Sequence, residues 1–304
     1  MVTCHLAGAA LVLGAYPVAQ GAGTGLTGLV VLTVLGVLVV AIAWGVLKAV
    51  GSRVTSVDDL EGSTGLVVLG TIPRKGLPRP GLATNGPPLP PAADGLQRIC
   101  RMLEHNGLGA EIMVVAIVPS GSRPLGPDFA AALTQSLVGA GHEVILVRAN
   151  MRPPTARSSQ EDSSKGLAEL LEDDGSDPVS LLVSVSQRLL MLPSGTPQEE
   201  PAVLLTGPRL GKVIESLRRL RLIIVIDAPP ANFTADVLAL TREADVTLLT
   251  VQAGSRWKEV EKAAKMLRYG DTGDPAAVLV GRRRRGSLAV GIRPYPGVDS
   301  GSAV

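Results

Sequence analysis

The chain contains a segment with the spacing of a phosphate-binding loop but without its reactive side chains. An apolar run over 112–118 predicts a buried strand, and it leads into the sequence GSRPLGPD. Gly121 and Gly126 match the two glycines of the pattern GxxxxGK[ST], whereas Pro127 replaces the lysine and Asp128 the hydroxyl residue. In a working loop the lysine contacts the β- and γ-phosphates and the hydroxyl ligates Mg²⁺. The sequence therefore predicts a nucleotide-binding fold that has lost nucleotide hydrolysis.

Composition excludes several classes of function. The formal net charge is +2 over 304 residues, which provides no bulk electrostatic affinity for nucleic acid. Two Trp, three Tyr and two Phe are too few aromatic residues to stack the bases of a single strand. Cys4 and Cys100 lie far apart in sequence, so neither a disulfide framework nor a zinc site is expected.

An uncharged apolar segment near the start of the chain predicts a transmembrane helix. Residues 1–47 contain no Asp, Glu, Lys or Arg, and the run 28–47 is long enough to cross a hydrocarbon core of about 30 Å at about 1.5 Å per residue. Lys48 and Arg53 follow this run directly, and positive charge favours the cytoplasmic side of a membrane. We therefore expect a cell-membrane protein whose chain is cytoplasmic after Gly51.

The apolar stretch 6–19 is shorter and is interrupted by Pro17. Three interpretations compete for it: an extracytoplasmic arm, a marginal second span that forms a hairpin with the first, or the apolar part of a signal peptide. The signal peptide is disfavoured because a basic region before the apolar stretch is missing. The arm and the marginal span both stay open.

Helical and strand patterns alternate from Leu96 onward, which favours a parallel α/β sheet over an antiparallel one. Several strand candidates are continuous Val/Ile/Leu runs, as expected for strands covered on both faces. The predicted strands are 65–73, 112–118, 143–148, 188–192, 222–227, 246–252 and 276–280. The predicted helices are 53–60, 128–139, 165–172, 211–221, 234–243 and 255–269, while 155–164 is predicted to be a loop.

The expected fold is a degenerate P-loop NTPase-like α/β domain with a parallel sheet, preceded by an N-terminal transmembrane helix. A stretch rich in Pro and Gly over 74–93 predicts a flexible linker before this domain. Five regions follow from these assignments. They are an arm or marginal span over 1–27, the transmembrane helix over 28–47, a juxtamembrane segment and linker over 48–95, the α/β domain over 96–285, and a flexible tail over 286–304.

The order of the motifs resembles the C-terminal half of the bacterial polysaccharide co-polymerases, the chain-length determinant proteins fused to a tyrosine kinase domain. The chain has SVDDLEGSTGLVVLGTIP after the apolar segment, then the degenerate loop, then VILVRANMRPP and LIIVIDAPP. In that family a segment of the type VLGTIP follows the second membrane helix. The kinase domain then carries a P-loop, a second Walker motif of the type LLIDADLRRP and a third of the type IIDTPP. The resemblance covers nearly all of residues 28–281.

The resemblance implies that part of the family's metal site is missing. Two aspartates of the second motif help to hold Mg²⁺ and to activate the attacking hydroxyl, and Arg148 and Asn150 stand at the matching positions. Arg152 and Pro154 match the end of that motif, where the family has positioning residues. Asp227 matches the Mg²⁺-associated aspartate of the third motif. If nucleotide still binds, the expected ligands are ATP and Mg²⁺.

Five residues are candidates for contact with these ligands: Gly121, Gly126, Arg148, Arg152 and Asp227. The resemblance implies that Asp227 is the candidate metal ligand, and the candidate catalytic residue if the chain is active. It lies at a predicted strand end, where ligands of open α/β sheets bind. A cap or turn acceptor is the competing role. Arg148 either replaces the lost lysine or forms a structural salt bridge with Asp128 or Asp227, and we favour the salt bridge. The two glycines form an anion-binding nest at a helix N-terminus, unless Asp128 caps that helix.

Two further parts of the family pattern are missing from the sequence. An active kinase of this family carries a C-terminal cluster of tyrosines that neighbouring subunits phosphorylate. Here the tail after Gly286 holds Tyr295 alone, and Tyr269 lies at the end of a predicted helix. The large outer domain between two membrane spans has no counterpart before residue 28. We expect a truncated relative or one half of a split system.

These losses favour a non-catalytic, pseudokinase-like protein without a bound cofactor. The predicted function is that of a membrane-anchored scaffold or regulator in exopolysaccharide or capsule biosynthesis and export. Its expected partners are the membrane, polysaccharide assembly or export proteins, an active kinase and further copies of itself, but not nucleic acid. The alternatives are an active tyrosine kinase or ATPase with rearranged ligands, and a membrane-tethered positioning protein of the ParA/MinD group. The segment 59–73 favours the co-polymerase branch over the last of these.

Overall fold

The structure, a computed structural model, describes residues 25–49, 53–74, 77, 92–108, 114–121, 129–153, 165–173, 175–270 and 275–281. The chain divides into two compact units, 1–51 and 52–304. The predicted loop over 155–164 and the tail over 286–304 lie outside the described residues. So do most of the predicted linker and of the N-terminal arm.

The first unit contributes one described helix, α1 (Gly25–Ala49), which includes the predicted apolar segment 28–47. Its large side chains, among them Leu32, Val37 and Trp44, are exposed. Among the helices that the structure describes, none was identified as long and apolar enough to cross a membrane. The segment is therefore helical as predicted, whereas the membrane span predicted for it is not confirmed.

The second unit is built on an eight-stranded sheet. Its strands are β1 (Val68–Ile72), β2 (Val114–Pro119), β3 (Val144–Arg148), β4 (Val183–Ser186), β5 (Leu189–Leu192), β6 (Ile223–Asp227), β7 (Val246–Gln252) and β8 (Ala276–Val280). They lie in the order β1-β8-β7-β2-β6-β3-β5-β4. Every neighbouring pair is parallel except β4 and β5, which are antiparallel. The predicted parallel α/β sheet is confirmed.

The remaining elements of this unit are helical. They are α2 (Val57–Thr64), α3 (Ala92–His105), α4 (Phe129–Gly139), α5 (Leu167–Glu172), a 3₁₀ helix (Pro178–Leu181), α6 (Pro201–Leu205), α7 (Arg209–Arg218), α8 (Thr234–Arg242) and α9 (Trp257–Tyr269). Helices α2 and α5 to α9 contribute to the hydrophobic core on one face of the sheet. Helices α3 and α4 contribute to the core on the other face.

The central strand β2 shows why helices are needed on both faces of the sheet. The side chains of Val114, Ala116 and Val118 join one core, and those of Val115 and Ile117 join the other. All five are almost completely buried. Since successive side chains of a strand point to opposite faces, a continuous apolar run is stable only when helices cover both.

The segment before the predicted linker belongs to the sheet rather than to a separate juxtamembrane region. Strand β1 pairs with β8, and Val54 and Leu60 are fully buried in the same core as α9. The amide of Val54 donates to the carbonyl oxygen of Ser255 at 3.1 Å. Ser56 caps α2, and hydrogen bonds from Ser56 and Thr55 lower the pKa of Asp59 below its usual value.

Some elements differ from the sequence-based prediction. Strands β7 and β8 have the predicted bounds, whereas β4, α3, α6 and the 3₁₀ helix were not predicted. Strand β4 was missed because it forms an exposed edge without an apolar run. Helix α3 begins at Ala92, inside the stretch predicted to be a linker.

Cys100 on α3 is free, and burial raises the pKa of its thiol to about 12, so it behaves as a core residue.

Thr134→Val should raise the free energy of unfolding by about 1 kcal/mol, because the buried hydroxyl of Thr134 has no hydrogen-bond partner in the described part of the chain. Denaturant unfolding followed by tryptophan fluorescence measures the change. Thr64→Val is the matched control. The buried Thr64 hydroxyl donates to Leu60 O at 2.6 Å and accepts from Leu66 N at 3.2 Å, so its loss should cost about 1–2 kcal/mol. Equal destabilisation by both variants would contradict this assignment.

Candidate functional site

The candidate site lies where the carboxyl ends of β2, β6 and β3 meet. These strands are parallel neighbours, so the loops that follow them emerge at one edge of the sheet. Backbone hydrogen bonds join the loops: Ala228 N donates to Ile117 O at 3.0 Å, and Ala231 N to Pro119 O at 2.8 Å. Ligands of open α/β sheets bind at this edge. It is also the edge to which the sequence assigns the candidate residues.

Arg148 and Asp227 face each other across two adjacent strands. They are Cα partners in the ladder between β3 and β6, each at the last residue of its strand. Arg148 Nη1 donates to Asp227 Oδ2 at 2.7 Å, and the side chains are 13% and 24% exposed. The structural salt bridge predicted for Arg148 is confirmed, with Asp227 as its partner.

This ion pair does not fit a magnesium site. Mg²⁺ takes oxygen ligands at about 2.0–2.1 Å in near-octahedral geometry, and a guanidinium beside the carboxylate repels the cation. Within the ranges that the structure describes, no group of three His, Cys, Asp or Glu side chains lies close enough to hold a metal ion. The role of Asp227 as a metal ligand therefore stays a prediction that these neighbours do not support.

Arg152, the second predicted cation, is bound to residues that sequence reasoning did not identify. Its Nε and Nη2 atoms donate to Asp236 Oδ2 at 3.1 Å and 2.8 Å. Its guanidinium carbon lies 3.9 Å from the centre of the Phe233 ring. Asp236 is almost fully buried in the first turn of α8, and no local sequence pattern relates it to a residue 84 positions earlier. Arg152 thus joins the loop after β3 to α8.

The described chain reaches the first glycine of the loop and resumes at α4. A methyl group on Gly121 would lie 3.5 Å from Oε2 of Glu259, at the start of α9. Gly126, Pro127 and Asp128 lie outside the described residues. A carboxylate therefore lies beside the entrance of a loop that binds phosphate in working P-loop proteins.

Sequence comparison finds relatives among bacterial tyrosine kinases, while no protein-family model matches the chain. Tyrosine-protein kinase CpsD of Streptococcus agalactiae serotype III is 26% identical over 168 residues, which is 54% of this chain and 72% of the relative. Putative tyrosine-protein kinase EpsB of Ralstonia solanacearum is 25% identical over 257 residues. That match covers 78% of this chain and about a third (34%) of the relative.

Solved kinase domains have the same fold. The kinase domain of the Escherichia coli tyrosine kinase ETK superposes with a TM-score of 0.65 at 19% identity, over 79% of this chain and 99% of that domain. The BceF tyrosine kinase domain gives 0.62 at 22% identity, over 76% and 99%. The chain has the P-loop fold of bacterial tyrosine kinases. At these identities the likeness concerns the fold, and it confirms the resemblance seen in the sequence for the α/β domain.

Truncating either member of the Arg148–Asp227 pair should lower the free energy of unfolding by about 1.5–3 kcal/mol, because each change leaves a largely buried charge without its partner. A double-mutant cycle with Arg148→Ala and Asp227→Ala measures the coupling between them. The exposed pair Lys265–Glu261, at 2.8 Å, is the control and should couple by about 0.3–0.5 kcal/mol. Equal coupling in the two cycles would show that burial adds nothing to the first pair.

Proposed function

We propose that this protein is a non-catalytic relative of the bacterial tyrosine kinases. In this proposal it acts as a scaffold or regulator in exopolysaccharide or capsule biosynthesis and export. The observation that carries the proposal is the ion pair of Arg148 with Asp227, because it occupies the carboxylate that the family resemblance assigns to Mg²⁺. The fold is then retained for binding other proteins rather than for phosphoryl transfer.

The chemistry of phosphoryl transfer supports this reading. The reaction depends on positive charge at the transferred phosphate and on a correctly held Mg²⁺. At the matching positions this chain has Pro127 and Asp128 in the loop, and Arg148 and Asn150 in the second motif. Each of these replacements removes a group that places charge, so their combined effect on the rate is many orders of magnitude.

The polysaccharide assignment rests on the motif order, while the named relatives support the likeness to tyrosine kinases. The segment 56–73 resembles the co-polymerase sequence that precedes the kinase domain, and CpsD and EpsB carry the name tyrosine-protein kinase. The partner of a scaffold in such a system is an active kinase of the same fold or a membrane protein of polysaccharide assembly. The solved structures that share this fold at a TM-score above 0.6 include kinase domains.

Attachment to the membrane is part of the proposal. Its support is α1, a helix of 25 residues whose large apolar side chains are exposed, in a stretch where residues 1–47 contain no Asp, Glu, Lys or Arg. An apolar surface of this kind is costly to leave in water, because roughly 25 cal/mol is lost per Å² exposed. Lys48 and Arg53 follow, and they favour the cytoplasmic side for the kinase-like unit.

Calorimetric titration of the full-length protein with Mg·ATP and Mg·ADP should detect no binding at millimolar nucleotide, and Asp227→Ala should not change that result. The positive control is a variant with the family's residues restored, Pro127→Lys, Asp128→Thr, Arg148→Asp and Asn150→Asp. Nucleotide binding by the unaltered chain that Asp227→Ala abolishes would refute the proposal. It would support an active kinase or ATPase with rearranged ligands, and a phosphotransfer assay would follow.

The native protein should stay in the membrane pellet after extraction with alkaline carbonate, and Leu35→Arg with Leu38→Arg should release it. Each arginine near the centre of an apolar helix costs about 2.5–3.5 kcal/mol of insertion free energy. Val183→Arg, which alters an exposed position on β4, is the control and should not affect the distribution. Release of the unaltered protein by carbonate would exclude integral anchoring by α1.

A further inference from the structure

Two Arg–Asp ion pairs join the same two stretches of chain. Arg148–Asp227 and Arg152–Asp236 both connect the end of β3 and its following loop with the end of β6 and the start of α8. We call these two pairs the crevice staples. The two arginines are four residues apart in the chain and the two aspartates are nine residues apart, so the ion pairs join the two loops at two separate positions.

The first staple is continuous with the sheet. Besides the side-chain bond of 2.7 Å between Arg148 and Asp227, the amide of Ala149 donates to the carbonyl oxygen of Asp227 at 3.0 Å. Asp227 is therefore held through both its side chain and its backbone carbonyl group. The backbone pairing of β3 with β6 therefore extends one residue past the end of β3, and it fixes the start of the loop that follows β3.

The second staple has the more buried carboxylate, whereas its arginine is more exposed than Arg148. The side chain of Asp236 is 2% exposed, and both nitrogen contacts of Arg152 go to its Oδ2 atom. The guanidinium also packs on the Phe233 ring at 3.9 Å, a cation–π contact that strengthens as water is excluded. A carboxylate this buried is costly without its cation, so Arg152 is held in one position.

The two loops that the staples join also contribute side chains to the hydrophobic core. Ala149 and Met151 of the β3 loop and Ala228 and Ala231 of the β6 loop are all buried. The carbonyl oxygen of Met151 also accepts a hydrogen bond from Gln198 N at 2.7 Å. The loops are therefore packed by the chain's own residues at the edge where relatives of this fold class bind ligands.

We propose that the crevice staples hold the loops after β3 and β6 in a single conformation that does not depend on nucleotide. In nucleotide-dependent switches, phosphate and Mg²⁺ supply the charges that order the loops. Here Arg148 and Arg152 supply the cations, and Asp227 and Asp236 the anions, from within the chain. The inference deepens the proposed scaffold function, but the conformational part stands on the two ion pairs alone.

Hydrogen exchange with mass spectrometry on the full-length protein tests the proposal. Amides of residues 149–153 and 228–236 should be equally protected with and without millimolar Mg·ATP. Arg152→Ala should accelerate exchange in both segments by about tenfold or more, because a hydrogen-bonded charge pair is lost. Arg256→Ala, which removes an exposed pair with Glu259 at 3.6 Å, is the matched control and should leave both segments unchanged.

Two milder variants keep the test valid if Arg152→Ala fails to fold. Arg152→Lys retains the charge and loses the planar contact with Asp236 and Phe233, whereas Asp236→Asn retains the shape and loses the charge. Both should accelerate exchange in the two segments while the amides of β3 itself stay protected. Acceleration confined to the mutated segment would overturn the proposal, since the staples would then not couple the loops.

The effect of nucleotide separates this inference from the proposed function. Rapid exchange in the unaltered protein that Mg·ATP suppresses would overturn both, because the loops would be ordered by ligand. Calorimetric binding of Mg·ATP without any change in protection would refute the nucleotide-free scaffold, yet it would support the staples. Absence of binding together with slow exchange is the result expected from both.

Discussion

The burial of a parallel sheet on both faces is the constraint on which the rest of this structure depends. Side chains along β2 alternate between two hydrophobic cores, and β6 and β3 beside it do the same. Nothing polar can be accommodated within these strands at low cost. In β3 and β6 the charged side chains therefore stand at the last residue of the strand. Because the strands are parallel, their last residues lie side by side, and Arg148 and Asp227 become neighbours through the register of the ladder alone.

That register determines which side chain meets the carboxylate of Asp227. The family motif has an aspartate where this chain has Arg148, so the same geometry yields two carboxylates in one case and an ion pair in the other. Two carboxylates repel each other and favour a divalent cation between them, whereas an arginine satisfies the remaining carboxylate directly. The β3–β6 ladder runs without a register shift up to this ion pair.

The sequence could predict those parts of the structure that depend on local residue patterns, such as apolar runs. The apolar runs of β7 and β8 gave their bounds, and the salt bridge of Arg148 followed because both partners lie at predicted strand ends. Strand β4 has no apolar run, since it is exposed at the sheet edge. The pairing of β1 with β8 joins residues about 200 positions apart, and Asp236 meets Arg152 across 84, so neither contact leaves a local signal. Such contacts are decided by tertiary packing.

The charges around the first loop glycine differ from those of a phosphate loop that keeps its lysine. Glu259 lies beside Gly121, the sequence places Asp128 in the loop, and Arg148 is engaged with Asp227. Glu259 is half exposed and paired with Arg256 at 3.6 Å, so solvent and that arginine screen its repulsion of a phosphate. The guanidinium of Arg148 is engaged by Asp227, so this edge of the sheet offers a polyanion less positive charge than a phosphate loop that keeps its lysine.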